Sequence, residues 1–115
     1  MLFLEYPPCS TCQKARKWLE ANGISFESRH IKNENPSYEE LKLWYGRSGL
    51  PLKRFFNTSG LLYKSLGLKD KLGTMPEEEQ LQLLASDGML VKRPLVICDD
   101  RILVGFRENE WENLK

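Results

Sequence analysis

Two cysteines separated by two residues, Cys9-Ser10-Thr11-Cys12, carry the most specific chemical pattern in the chain. A short apolar run, Leu2-Phe3-Leu4, and Pro7-Pro8 precede them, and helical spacing follows as far as Gly23, so the order reads strand, tight loop, helix, stop. That order sets Cys9 where a helix begins. The first N–H groups of a helix lack intrahelical partners and carry partial positive charge, which favours a thiolate over a thiol. Cys9 is therefore the expected attacking sulfur. Cys12 lies one turn further on the same face, where it can attack a mixed disulfide formed at Cys9 and release the partner.

The same pair could be half of a zinc site or a structural staple. A zinc site needs a second ligand pair, and the remaining candidates, Cys98 and His30, stand at unrelated spacing, so no metal is expected. A structural disulfide suits neither a chain without a signal-peptide-like start nor a composition able to build a core. A CxxC at a strand-to-helix turn fits a redox pair better.

The elements that must position these residues follow from periodicity and caps. At 115 residues, 41% hydrophobic and 29% charged, the chain has the composition of one globular domain. Its 17 basic and 16 acidic residues leave a net charge of +1, which gives no global reason to bind nucleic acid or an anionic membrane. No apolar run approaches the roughly 20 residues of a membrane span. An odd count of 3 cysteines suits a reducing compartment, and a cytoplasmic monomer is expected.

Residues 2–6 read as a buried strand, and residues 24–31 as a second strand parallel to it, completing a βαβ unit. On the helix between them Lys14, Arg16 and Lys17 read as a solvated face; His30 reads as strand-end filler. Ser37 to Glu40 is a capping box for a helix that stops between Gly46 and Gly49, and residues 50–73 read as several short helices. Thr74-Met75-Pro76-Glu77 reads as a second capping box with proline in the first helical position. No strand signal occurs between Ile31 and Pro94. Leu95-Val96-Ile97-Cys98 and Ile102-Leu103-Val104 flank Asp99-Asp100 as a hairpin, with Cys98 a small buried hydrophobe, and residues 108–114 close the chain as a short helix. The expected class is α/β: a thioredoxin-like fold with a mixed sheet of about four strands, in one domain spanning 1–115. Residues 1–32 and 90–115 form its thioredoxin-like part, and residues 33–89 are a helical insertion between the βαβ unit and the C-terminal hairpin.

Cys9-Ser10-Thr11-Cys12 with Lys14-Ala15 and Trp18-Leu19, then Leu90-Val91-Lys92-Arg93-Pro94-Leu95-Val96 and Val104-Gly105-Phe106, resembles the arsenate reductase-like family that contains ArsC reductases and the Spx and MgsR regulators. The resemblance covers essentially the whole chain. In ArsC enzymes the matching cysteine attacks arsenate and an arginine before a cis-proline holds the oxyanion, which implies those roles for Cys9, Arg93 and Pro94. A guanidinium suits a tetrahedral oxyanion and, beside Cys9, would depress the thiol pKa. Two departures weigh against arsenate. A further family arginine is matched by Asn57, with Arg54 a helical turn away, and the third anion-binding arginine has only an approximate counterpart in Arg107. Each missing charge-assisted hydrogen bond is a loss of about 1.5–3 kcal/mol. Cys12, where single-site enzymes have no cysteine, favours an internal Cys9–Cys12 disulfide.

The resemblance thus implies a thiol-disulfide redox protein that reduces an oxyanion such as arsenate, or an oxidised thiol. Cys9, Cys12 and Arg93 would be catalytic, and Arg93, Pro94, Arg107 and Arg54 would meet the substrate. No cofactor is bound on this reading; glutathione/glutaredoxin or thioredoxin restores the thiols. The alternative is a Spx/MgsR-like redox-sensing transcriptional regulator that contacts the RNA polymerase α subunit around Gly49.

Overall fold

In the computed structural model, which describes residues 1–115, strands β1 (Leu2–Glu5), β2 (Glu27–His30), β3 (Leu95–Ile97) and β4 (Ile102–Val104) form one mixed sheet in the order β2-β1-β3-β4. β1 is parallel to β2 and antiparallel to β3, and β3 and β4 form the antiparallel hairpin. Helix α1 (Ser10–Ala21) joins β1 to β2. Helices α2 (Tyr38–Ser48), α3 (Leu61–Ser65), α4 (Leu68–Lys71) and α5 (Glu77–Ser86) lie between β2 and β3, and α6 (Glu108–Trp111) follows the hairpin. This is the α/β, thioredoxin-like arrangement expected from the sequence.

The two-residue strand period sorts the core into two layers. Phe3 and Val96 point to one face, where Ala15 and Leu19 of α1 and Trp111 of α6 cover them. Leu4, Leu95, Ile102 and Val104 belong to the larger core on the other face, with Leu41, Phe55, Phe56 and Leu84 of the intervening segment. No helix is long and apolar enough to cross a membrane.

The capping box at α2 forms as expected: Glu40 N donates to Ser37 Oγ at 3.1 Å, and Ser37 N donates to Glu40 Oε1 at 3.0 Å. Gly46 is helical and Gly49, at φ +69°, ends the helix in the left-handed region that glycine adopts without strain. The second capping box does not form. Thr74 is held in a 3₁₀ turn (Leu72–Thr74), its hydroxyl donating to Lys71 O at 3.3 Å, and Pro76 caps α5 instead of entering it. Proline has neither the N–H nor the side-chain acceptor a capping box requires. The stretch without strand signal contains one antiparallel bridge, Phe56 to Val91, flanked by Asn57 N to Leu90 O and Lys92 N to Phe55 O, both at 2.7 Å. A single residue pair has no periodicity to read.

Arg16 is not part of the solvated face, whereas Lys14 and Lys17 are exposed. Glu5 stands two residues after Phe3 and so points to the α1 layer, where it is only 3% exposed. A buried carboxylate has to be paired. Arg16 Nε donates to Glu5 Oε1 at 3.1 Å and Nη2 bonds Oε2, while Ser28 Oγ donates to Oε2 at 2.5 Å. Cys98 is half-buried just past β3 instead of fully buried, and burial pushes its thiol above the usual range. His30 serves as expected of strand-end filler: its Nδ1 accepts from Lys32 N at 3.2 Å and Asn33 N at 3.1 Å.

Arg16→Met leaves Glu5 with Ser28 alone. It is expected to lower the unfolding free energy by about 1–3 kcal/mol, read from urea midpoints, whereas Lys17→Met changes it by less than about 0.5 kcal/mol. Equal, small shifts in both variants would remove the ion pair from the stability of the fold.

Candidate functional site

The turn Tyr6-Pro7-Pro8-Cys9 is closed by Cys9 N donating to Tyr6 O at 2.9 Å. Cys9 O then accepts the first helical bond, from Gln13 N at 3.0 Å, so Cys9 is the N-cap of α1 with extended backbone at φ −75° and ψ 124°. Gln13 Nε2 donates back to Pro7 O at 2.9 Å and fixes the turn against the helix. The Cys9 thiol is half-buried. Burial by itself would raise its pKa; the Cys12 N–H, the Cys12 thiol, the Thr11 N–H and the Arg93 guanidinium outweigh burial and hold it below the ordinary thiol value. Cys12, fully buried behind Cys9, has the opposite environment. Burial pushes its thiol up to about 12; Tyr6 N, donating to Cys12 Sγ at 3.5 Å, works against this, and the Cys9 charge adds to it.

Arg93 reaches Cys9 because of strand register. Leu4 lies opposite Leu95, and continuing that antiparallel ladder by two residues sets Tyr6 opposite Arg93. The Arg93 guanidinium lies over the Tyr6 ring at 5.1 Å, and Nη1 donates to Met89 O at 3.3 Å. The Arg93–Pro94 peptide is cis. Pro94 O accepts from Gly105 N at 2.8 Å, so the Arg-Pro and Gly-Phe segments meet directly. Gly105 is at φ +77°, and a Cβ there would stand 3.3 Å from Lys92 Cε, so glycine both permits the turn and leaves room for the lysine stem. Trp111 Nε1 donates to Gly105 O at 3.2 Å and the Trp111 ring meets Phe106 edge-on at 4.8 Å, which fastens this turn to the α1 layer.

One cleft of about 1110 Å³ brings together Cys9, Arg93, Arg54, Arg107 and Asn57. Arg54 comes from the 3₁₀ turn Leu52–Phe55, and Asn57 follows it. Asn57 is 9% exposed, and its amide has space only because residue 60 is glycine, whose Cβ would lie 2.6 Å from Nδ2. Cys12 and Pro94 are buried and do not line the cleft; Pro94 acts from behind it through its carbonyl. Gly49 is exposed at the end of α2, outside the cleft. No three His, Cys, Asp or Glu side chains converge as metal ligands.

Two contributors carry no motif of their own. Tyr6 supplies the face beneath Arg93 and an N–H to Cys12; its one sequence signal is its place immediately before the prolines. Thr11 acts through its backbone N–H, which any residue except proline could supply.

Alkylation with iodoacetamide followed by peptide mass spectrometry should place the Cys9 midpoint below the reference of about 8.5, because a thiol with a depressed pKa is already ionised at lower pH. Arg93→Met should raise that midpoint, and Cys12 should stay unreactive to about pH 10. A wild-type Cys9 midpoint at or above the reference would contradict this electrostatic account.

The ArsC family model matches residues 4–114 of the chain. The structure superposes on an ArsC family related protein from Bacteroides fragilis with a TM-score of 0.97 at 60% identity, covering 99% of this chain and 96% of that one. It superposes on a possible arsenate reductase from Streptococcus mutans UA159 with a TM-score of 0.86 at 46% identity, covering 92% and 90%. Regulatory protein MgsR of Bacillus subtilis is 30% identical over 110 residues, 96% of this chain and 86% of MgsR.

Proposed function

The chain belongs to the ArsC family, and from that membership and the surroundings of Cys9 we propose a thiol-disulfide redox protein that reduces an oxidised thiol, or an oxyanion such as arsenate, through Cys9 and Cys12. The observation that carries this reading is the inequality of the pair: one thiol held below its ordinary pKa at the wall of a cationic cleft, the other pushed up to about 12 directly behind it.

With a disulfide substrate, the Cys9 thiolate attacks one sulfur, the substrate S–S bond breaks, and the first thiol leaves after taking a proton from solvent. Cys12, still protonated, does not compete for that attack. Once Cys9 is consumed in the mixed disulfide, burial still raises Cys12, but the charge and hydrogen bond of Cys9 no longer add to it, while the lowering influences of Tyr6 N and Arg93 remain. Cys12 then loses its proton to solvent and attacks Cys9 Sγ. The second substrate thiol leaves and the Cys9–Cys12 disulfide closes, so two electrons have passed from the protein thiols to the substrate. A thiol reductant of the glutathione/glutaredoxin or thioredoxin type returns them, in a reducing cytoplasm. Arg93, Arg54 and Arg107 hold the anionic part of the substrate. Asn57 in place of a family arginine weakens the case for arsenate and favours the oxidised thiol.

Cys9→Ser should lower turnover on the order of 10³-fold or more, and Cys12→Ser should accumulate the mixed disulfide at Cys9, visible by intact mass. Turnover that survives Cys9→Ser would overturn the proposal.

The likeness to MgsR supports a second reading, a redox-responsive regulator that contacts the RNA polymerase α subunit. Pull-down of the α subunit with the oxidised and the reduced protein tests it, and retention in neither state removes it.

A further inference from the structure

The cleft is much larger than an oxyanion. Its volume of about 1110 Å³ compares with roughly 100 Å³ for a tetrahedral anion, taken as about three waters at ~30 Å³ each. Six cations line it, Lys32, Lys53, Arg54, Lys92, Arg93 and Arg107, against one carboxylate, Asp87. The whole chain, by contrast, has 17 basic and 16 acidic residues. Elsewhere Arg16, Arg29, Arg101 and Lys115 are paired with carboxylates. Of the six, only Arg107 has such a partner, Glu110 at 3.5 Å. Asp87 forms an ion pair with none of the others: its Oδ1 accepts from Met89 N at 2.8 Å and caps the turn that follows α5, so its single charge offsets only part of theirs. The cations arrive from four separate segments, after β2, in the 3₁₀ turn before Phe56, ahead of β3 and after β4, and all six line the cleft. The wall also has an apolar part: Phe106 and Leu61, the latter 87% exposed. Exposed apolar surface next to unpaired cations does not suit an inorganic anion; it suits an organic molecule with hydrocarbon between its charges.

Building on the reading of Cys9 and Cys12 as a disulfide-reducing pair, we infer that the substrate is a small organic disulfide with several negative charges, phosphate or carboxylate, on the groups that flank its S–S bond. The cations draw it in, since a cleft lined by one sign of charge raises the association rate of an opposite ion by 10- to 10³-fold, with a steep dependence on salt. Cys9 then breaks the S–S bond, one anionic thiol leaves, Cys12 expels the second, and the thiol reductant reopens the Cys9–Cys12 disulfide.

The test uses the full chain carrying Cys12→Ser, which stops at the mixed disulfide and makes the second-order rate constant at Cys9 readable by peptide mass. Coenzyme A disulfide, whose charges are phosphates, and glutathione disulfide, whose charges are carboxylates, are compared with neutral 2-hydroxyethyl disulfide and cationic cystamine. Each rate is divided by that of an unstructured cysteine peptide, and each is measured at ~20 mM and ~500 mM salt. At low salt at least one polyanion should react about tenfold or more faster than the neutral probe, and cystamine should be slowest. That lead should collapse at high salt, and which polyanion leads assigns phosphate or carboxylate. Lys53→Glu with Lys92→Glu should cut the polyanion-to-neutral ratio about tenfold. Equal normalised rates for all four probes, or a lead that survives both high salt and charge reversal, would overturn the inference and leave Cys9 standing as nucleophile. Failure of every probe to modify Cys9 would overturn the inference together with the reading beneath it.

Discussion

The site depends on the antiparallel pairing of β1 with β3 in the register that sets Leu4 opposite Leu95. Two residues further, just past the end of β1, Tyr6 meets Arg93, the residue before the cis peptide, and the 5.1 Å contact between guanidinium and ring is the result. Pro94 has no N–H to donate, so regular pairing ends where the site begins. Hydrophobic sorting specifies the register. Phe3 and Val96 must face α1 while Leu4 and Leu95 face the larger core, and a slip by one residue would exchange the two sets. The same slip would carry Arg93 away from Cys9. Packing of four apolar side chains therefore decides the charge environment of a thiol.

Around that pairing, each wall of the cleft is fastened separately. Glu5, at the end of β1, holds α1 through Arg16, and α1 begins at Cys9. The Gly105 turn is tied to Pro94 on one side and to Trp111 on the other, which keeps Arg107 and Phe106 at the rim. The opposite wall, with Arg54 and Asn57, is joined to the sheet side by the Phe56–Val91 bridge. It returns through Gly88, where a Cβ would stand only 1.9 Å from Ile31 O. Cys9 thus sits at a helix start and Arg93 two residues ahead of a sheet strand, whereas Arg54 and Asn57 belong to a short turn and the loop after it. That division suits a reaction in which the sulfur chemistry demands exact placement and the rest of the substrate needs mainly charge.

What was legible in the sequence was local. Strand alternation, the Ser37–Glu40 box and the helix start at Cys9 are patterns within a few residues, and each element formed. Thr74 shows the limit of such patterns: Thr-x-x-Glu describes a capping box only where the chain before it is not already turning, and here a 3₁₀ turn has claimed the threonine. Arg16 was illegible as a charge on a helix, although Glu5 two residues after Phe3 was a usable signal, since strand period alone buries it. The motif segments located Cys9 and Arg93, and the cleft includes both. Lys32 and Lys53 carried no signal, because no spacing rule links residues that meet only through the tertiary fold.

Net charge is the sum that discards position. At +1 the chain has no global attraction for a long polyanion, and that exclusion rests on the whole surface. A small ligand samples something else. Screening at physiological salt limits its view to about 8 Å, whereas the molecule extends 42 Å along its long axis. At the cleft mouth the charges within reach are those of the wall, six cations against Asp87, together with Glu110 beside Arg107, and the other acidic side chains do not line the cleft. Near-neutrality overall and a concentrated positive cleft are therefore compatible, and together they select by ligand size. A molecule small enough to enter meets an attractive field; one long enough to span the surface meets the cancelling charges as well.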